Sequence, residues 1–298
     1  MARLADRLPG NAPGAFYVDA SCIDCDLCRQ IAPWSFGHSE DGDQSVVIRQ
    51  PVDAEQTRRA AMALVACPTS SIGGGDANAV RQAARAFPDK LATLRATASG
   101  DVDVWFCGYA SEDSYGASSY LLRRPGGSVL VDSPRAARPL SARLNELGGV
   151  STMFLTHADD VADHEVWHRE LGCRRVIHRA DVRAATRGVE MQLEGSDPVQ
   201  LDPELLAIPV PGHTRGSCVL IYRDTYAFTG DHVWATDEQD ALDAGEDVSW
   251  YSWPEQKQSM YKLADYRFTW VIPGHGRRFR AASADAMRSE LLRLADAM

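Results

Sequence analysis

Cys22, Cys25 and Cys28 are spaced C-x2-C-x2-C, and Cys67 follows much later with Pro68 directly behind it. Three thiolates on one tight loop can hold three corners of an iron-sulfur cubane, provided that the chain folds back to bring in a remote cysteine as the fourth. That closure restricts the first part of the fold more than any hydrophobic pattern does. The chain has seven cysteines, and an odd count clustered in this way points to metal ligation in a reducing compartment, not to a disulfide scaffold. Four thiolates can also make a structural zinc site, but C-x2-C-x2-C crowds a single tetrahedral ion.

The pattern resembles that of bacterial ferredoxins. In their two-cluster members the run continues C-x2-C-x2-C-x3-C-P, and the last cysteine serves the other cluster. Here Ala32 takes that place, followed by Pro33. The resemblance, which covers about Phe16 to Gly75, implies an α+β ferredoxin-like small domain with one [4Fe-4S] cluster bound by Cys22, Cys25, Cys28 and Cys67. A strand is expected at Val46 to Ile48, and a helix at Ala54 to Ala66 that delivers Cys67. Gly73, Gly74 and Gly75 mark a break. Ala77 to Ala96 has helical composition interrupted by Pro88, and Ser99-Gly100 ends it. The expected organisation is a ferredoxin domain over residues 1–76, a helical connector over 77–100 and a second domain over 101–298.

A chain of 298 residues is long enough for a large and a small core, and 45% hydrophobic with 24% charged residues is ordinary for a globular protein. Its formal net charge of -10 disfavours a nucleic-acid backbone or an anionic membrane as the main partner, since both call for a basic surface. Met1 to Gly14 has no apolar stretch of signal-peptide length, and no segment reaches the roughly 18 apolar residues of a membrane span. A cytoplasmic protein acting on a small molecule is the expectation.

From Val102 onward short β-type runs alternate with helical ones: Val102 to Cys107, Ser119 to Leu122, Ser128 to Val131, a helix at Ala136 to Leu147, then Thr152 to Leu155. Directly after the apolar Met153-Phe154-Leu155, the segment from His157 to His164 packs two histidines and three aspartates into eight positions. So many groups this close would repel or lie exposed unless a cation bound them. Further on, Pro211-Gly212-His213-Thr214, Gly230-Asp231 and Pro273-Gly274-His275-Gly276 each follow an apolar strand. Each places a ligand-type side chain beside glycine, where the backbone can approach closely.

These blocks, in this order, resemble the metallo-β-lactamase superfamily, whose pattern is strand-T-H-x-H-x-D-H, then G-H-T-x-G-S, G-D and G-H-G. The resemblance covers Asp101 to Phe279 and implies an αββα fold with two divalent metal ions. One ion would be held by His157, a residue near Asp159, and His213, and the other by Asp163, His164 and His275, with Asp231 bridging. The chain departs from the pattern in two ways. Asp159 replaces the second histidine, leaving Asp159 or Asp160 as the ligand, and Asp163-His164 comes two residues late. A carboxylate in place of an imidazole hardens the site, which moves preference from zinc toward iron or manganese, and flavodiiron proteins resemble this choice.

Two reaction classes follow. In the first, a metal-activated hydroxide attacks a small ester, thioester or related centre, with Asp163 as the catalytic group that orients it. In the second, a diiron oxidoreductase receives electrons from the in-chain cluster, itself reduced by an external donor. An iron-sulfur redox sensor is a third option. His178 and His232 are candidates for places near the metals, and the aromatic run Trp250, Tyr251 and Trp253 packs a helix, walls a pocket or faces the ferredoxin domain.

Overall fold

The computed structural model describes residues 1–40, 42–91, 103–236, 238 and 240–298. The boundary expected near residues 100 and 101, the carboxy-terminal end of the expected connector, and Val102 lie outside the described residues. The chain forms two compact units: Met1–Leu130 with Pro134–Ser151 and Ala162–Gly172, and Val131–Ser133 with Thr152–Val161 and Cys173–Met298. Among the described residues no helix is long and apolar enough to cross a membrane.

In the first unit, Asp53 opens the helix Ala54–Ala66 by accepting the Gln56 amide at 2.8 Å, which satisfies one of the donors that a helix start leaves over. The alanine-rich run then propagates readily. Pro68 stops it, because the residue before a proline is pushed out of the helical region, and Cys67 adopts φ -57° and ψ 120°. The helix thus ends at the residue whose sulfur is needed. Phe16, Val18, Ala32, Phe36, Val47, Ala60, Ala63 and Ile72 form the core around it. Ala32 is buried in that core, so the position of a second-cluster ligand has become packing surface.

Short antiparallel pairs, Tyr17–Val18 with Ile72–Gly73 and Phe36–His38 with Ser45–Val47, complete the small domain. The helix expected from residue 77 runs over Ala77–Ala86 and packs on Ala54–Ala66. Pro88 ends it, and Asp89–Lys90 pairs with Trp105 and Phe106 at the edge of a sheet that continues through Tyr120–Arg123. Helices Arg138–Glu146 and His164–Leu171 belong to the same unit.

In the second unit, Thr152–Phe154, Arg174–His178 and Met191–Leu193 pair in parallel. A six-stranded sheet runs in the order Val199–Asp202, Leu205–Pro209, Cys218–Tyr222, Tyr226–Gly230, Trp270–Pro273, Phe279–Arg280. Its one parallel pair, Tyr226–Gly230 with Trp270–Pro273, needs a crossover. Helix Trp253–Leu263 lies in that crossover, and its Met260 and Leu263 join Ile208, Val219, Val271 and Leu291 in the core. Parallel pairing sends both chains out at the same end of the sheet. Asp231 and His275 therefore leave side by side.

Phe36 is 2% exposed in the small core of the first unit. Truncation to alanine should cost about 3–5 kcal/mol. Phe36→Ala is expected to lower the denaturation midpoint followed by the visible absorbance of the cluster.

Candidate functional site

Cys22, Cys25, Cys28 and Cys67 of the first unit line one cavity together with Val18, Leu27, Ser45, Thr69 and Ser71. Burial pushes the Cys25 thiol up to about 12, against the Leu27 amide that favours the thiolate. Burial pushes Cys28 up further, opposed by the Ser45 hydroxyl. Thiolates here need a cation cluster to exist at neutral pH, and the Ser71 amide, 3.3 Å from the Cys67 sulfur, is placed to stabilise one. Arg29, buried and held by Asp24 and Asp26, adds positive charge to the loop. The residues present fit a [4Fe-4S] cluster.

Part of the enclosure comes from outside the cysteine-bearing segment. Gly116 has φ +87°, and a Cβ there would fall 2.6 Å from Cys25 Cβ and 3.1 Å from Pro68 Cγ. The backbone can therefore lie on the cluster loop only because this residue has no side chain. Nearby, the Ala110 amide donates to the Ala66 carbonyl at 3.3 Å. Arg135 donates to the Val65 carbonyl at 3.3 Å, with its guanidinium 5.6 Å from the Tyr109 ring centre.

In the second unit, the loops after four strands bring six ligand-type side chains together. His157 Nε2 lies 3.6 Å from Asp231 Oδ2 and 4.0 Å from Asp160 Oδ2. His213 Nε2 lies 3.5 Å from Asp159 Oδ2 and 3.7 Å from Asp231 Oδ2. His275 Nδ1 is 2.8 Å from Asp231 Oδ2, and its amide donates to Oδ1 at 3.1 Å. The tetrahedral edge of a metal with bonds near 2.0–2.1 Å is roughly 3.4 Å, so most of these separations suit atoms that share a cation. The Nε2 atoms of His157 and His213 and both oxygens of Asp160 are buried without a hydrogen-bond partner. Orphaned polar groups of this kind are costly unless something binds them. The donor set fits divalent metal.

Hydrogen bonds fix which ring nitrogens face inward. His213 Nδ1 donates to the Val248 carbonyl at 2.7 Å. Thr156 Oγ1 donates to Asp132, at 2.9 and 3.0 Å from its two oxygens, and so accepts from His157 Nδ1 at 3.0 Å. Both histidines therefore present Nε2 to the centre, with a partner behind each ring. Asp181 joins the two ligand loops: its carboxylate accepts from the Ala158 amide at 2.9 Å, the Gly216 amide at 2.7 Å and the Thr214 hydroxyl at 2.5 Å. Gly230 and Gly274 allow the close approach. A Cβ on Gly274 would meet Asp160 Oδ2 at 2.7 Å and Asp231 Oδ1 at 2.8 Å, and one on Gly230 would meet Thr156 Oγ1 at 2.5 Å.

Both candidates for the altered ligand, Asp159 and Asp160, reach the centre on the lengthened loop, and Asp159 also pairs with Arg183 Nη1 at 3.1 Å. Asp163 and His164 lie in the first unit, at the start of helix His164–Leu171. Asp163 Oδ2, from the carboxylate expected to orient a nucleophile, accepts the Ala136 amide at 2.7 Å, and His164 is buried. His178 is turned to the backbone, with Nδ1 accepting from Ala180 and Nε2 2.9 Å from the Gly195 carbonyl. Sequence reasoning missed Asp132, Thr156 and Asp181. Asp132 and Asp181 stand at or just beyond strand ends with no histidine or glycine motif beside them, and only Thr156, next to His157, offered a local signal.

Burial disfavours a charged His157, but Asp160 and Asp231 outweigh it and hold the pKa up at about 10. Burial likewise opposes the charge on His275, and Asp231 raises its pKa to about 9. Burial and the Asp231 charge together push Asp160 up to about 8. Asp231, despite burial, is held well below the usual carboxylate range by His275 and His157.

Residues 18–74 match the family described as the 4Fe-4S single cluster domain of Ferredoxin I. No curated protein matches the sequence. Similar solved structures include VMB-1, at 15% identity over 66% of this chain and 95% of that one with a TM-score of 0.51. They also include the metallo-β-lactamase FIM-1 from Pseudomonas aeruginosa, at 16% identity, 68% and 94% coverage and a TM-score of 0.49. ETHE1 from Myxococcus xanthus is similar at 19% identity, 64% and 84% coverage and a TM-score of 0.45. At these identities the likeness is one of fold. The chain combines a single-cluster ferredoxin domain with a metallo-β-lactamase fold.

Three measurements check this geometry. Gly116→Val should reduce iron and sulfide content, because the new side chain meets Cys25. Asp181→Asn, which puts a donor in front of one of the two amides that Asp181 accepts on its separate oxygens, should weaken metal binding about 10- to 100-fold. The surrounding carboxylates raise the pKa of His157 to about 10 and of His275 to about 9, and a metal needs both imidazoles neutral, so binding is expected to release protons and to tighten as pH rises. Calorimetry in buffers of different ionisation enthalpy reads that release, and a pH-independent affinity would contradict the charge assignment.

Proposed function

We propose that this chain is a dinuclear-metal hydrolase acting on a small ester, thioester or related acyl compound. The observation that supports it is the meeting of His157, Asp159, Asp160, His213, Asp231 and His275, in which the Nε2 atoms of His157 and His213 and both oxygens of Asp160 are buried without a hydrogen-bond partner. His157, Asp159 and His213 would hold one metal, and Asp160 and His275 the other, with Asp231 between them. When bound, such ions lower the pKa of water to about 7 and polarise a substrate oxygen. The chain's own task is preorganisation. Val248 and Thr156 aim the two imidazoles, Asp181 locks their loops together, and Arg183 neutralises the outer oxygen of Asp159. Asp160, beside Asp231, takes the orienting role that the sequence pattern suggests for Asp163.

A second reading, a diiron oxidoreductase, is favoured by the ligand set. Three carboxylates among six ligands make a harder site than an imidazole-rich one, which suits iron. The cluster in the same chain would pass on electrons from an external donor.

Protein purified without oxygen, analysed for metals and assayed on acetyl and phenylpropanoyl thioesters, tests the proposal. Turnover is expected that chelation abolishes, that His213→Ala lowers by at least about 100-fold, and that reduction of the cluster leaves unchanged. Absence of thioester turnover in fully metal-loaded protein would overturn hydrolysis. Two site irons that become reduced together with the cluster would establish the second reading in its place.

A further inference from the structure

Trp250 is 66% exposed, yet it is not on a loose loop. The residues around it are tied to the loop that carries His213. Val248 accepts from His213 Nδ1 at 2.7 Å, the Tyr251 amide donates to the His213 carbonyl at 3.1 Å, and the Ser252 amide donates to the Gly212 carbonyl at 3.0 Å. Behind them, Ser252 caps helix Trp253–Leu263 through the Glu255 amide. The Trp250 ring stands 6.2 Å from the His213 ring, inclined by 58°.

A single exposed apolar side chain needs no explanation on its own. Here a large flat one stands beside a buried ligand-type histidine, on a segment whose neighbouring residues are bonded to that histidine's loop, with most of its surface exposed. On the side of the candidate metal site, His213 Nε2 faces Asp159 and Asp231, and its ring meets the His157 ring edge-on at 4.8 Å. Trp250 adds an apolar neighbour that is not among these ligand-type groups.

We propose that Trp250 is the wall on which the apolar part of the substrate lies, and that the substrate class is an ester or thioester with an aryl or similarly flat apolar acyl group. The inference rests on the hydrolytic reading. Rings bind rings in offset or edge-on contact while burying apolar area. A phenyl group seated there gains about tenfold in affinity over a small acyl group.

The test compares binding of 3-phenylpropan-1-ol and propan-1-ol, both neutral, to the metal-loaded protein by calorimetry, with the wild type beside Trp250→Ala and Trp250→Phe. The wild type should prefer the phenyl compound by about tenfold or more. Trp250→Ala should remove that preference at unchanged metal content, and Trp250→Phe should keep most of it. In turnover, KM for the phenylpropanoyl thioester should rise in Trp250→Ala in the same proportion. No preference in the wild type, or a preference that survives in Trp250→Ala, would overturn the proposal. Failure of the hydrolytic reading looks different: no thioester turns over in any of the proteins, whatever the alcohols do.

Discussion

Asp231 meets three imidazoles, those of His157, His213 and His275, at 3.6, 3.7 and 2.8 Å. With burial excluding water, one carboxylate would face three rings and at least one further carboxylate, Asp160. The balance of charge there decides the rest of the second unit. The loops must come this close, so Gly230 and Gly274 carry no side chain. The His157 and His213 rings must turn Nε2 inward, so Thr156 and the Val248 carbonyl stand behind them, whereas His275 meets Asp231 through Nδ1. Asp181 then accepts from both ligand loops and ties the donors to one another. The same cluster of acids that raises the pKa of His157 and His275 would attract a cation.

The first unit solves a similar problem with softer atoms. Buried thiols are reluctant to ionise, and Cys25 and Cys28 are pushed up by burial despite nearby donors and Arg29. Iron replaces the protons. A module with so small an apolar core gains from such a staple, and Gly116 shows that its enclosure also uses residues well beyond the stretch that matches the ferredoxin family.

The cysteine site and the candidate His/Asp metal site are chemically distinct and made by two different sequence habits. One puts three ligands on a single loop and leaves the fourth to a helix end. The other puts one to three ligand-type side chains after each of four strands. Both rely on residues that end regular structure where a ligand is needed: Pro68 after Cys67, and glycine beside His213, Asp231 and His275.

The sequence alone determined the elements that are local in character. The cysteine spacing, Ala32 in place of a second-cluster ligand, the Ala54–Ala66 helix and the four strand-end motifs could all be read from it, since each depends on neighbours within a few residues. Tertiary structure decided what depends on meeting across the chain. The lengthened loop from His157 to His164 has three aspartates, and nothing in their order says which will turn inward; the fold brings Asp159 and Asp160 to the imidazoles and bonds Asp163 to the Ala136 amide. Asp132, Asp181 and Gly116 had no pattern to announce them, because their roles are hydrogen bonds and contacts to residues more than twenty positions away. Register and loop packing set such distances, and no periodicity in the sequence encodes them.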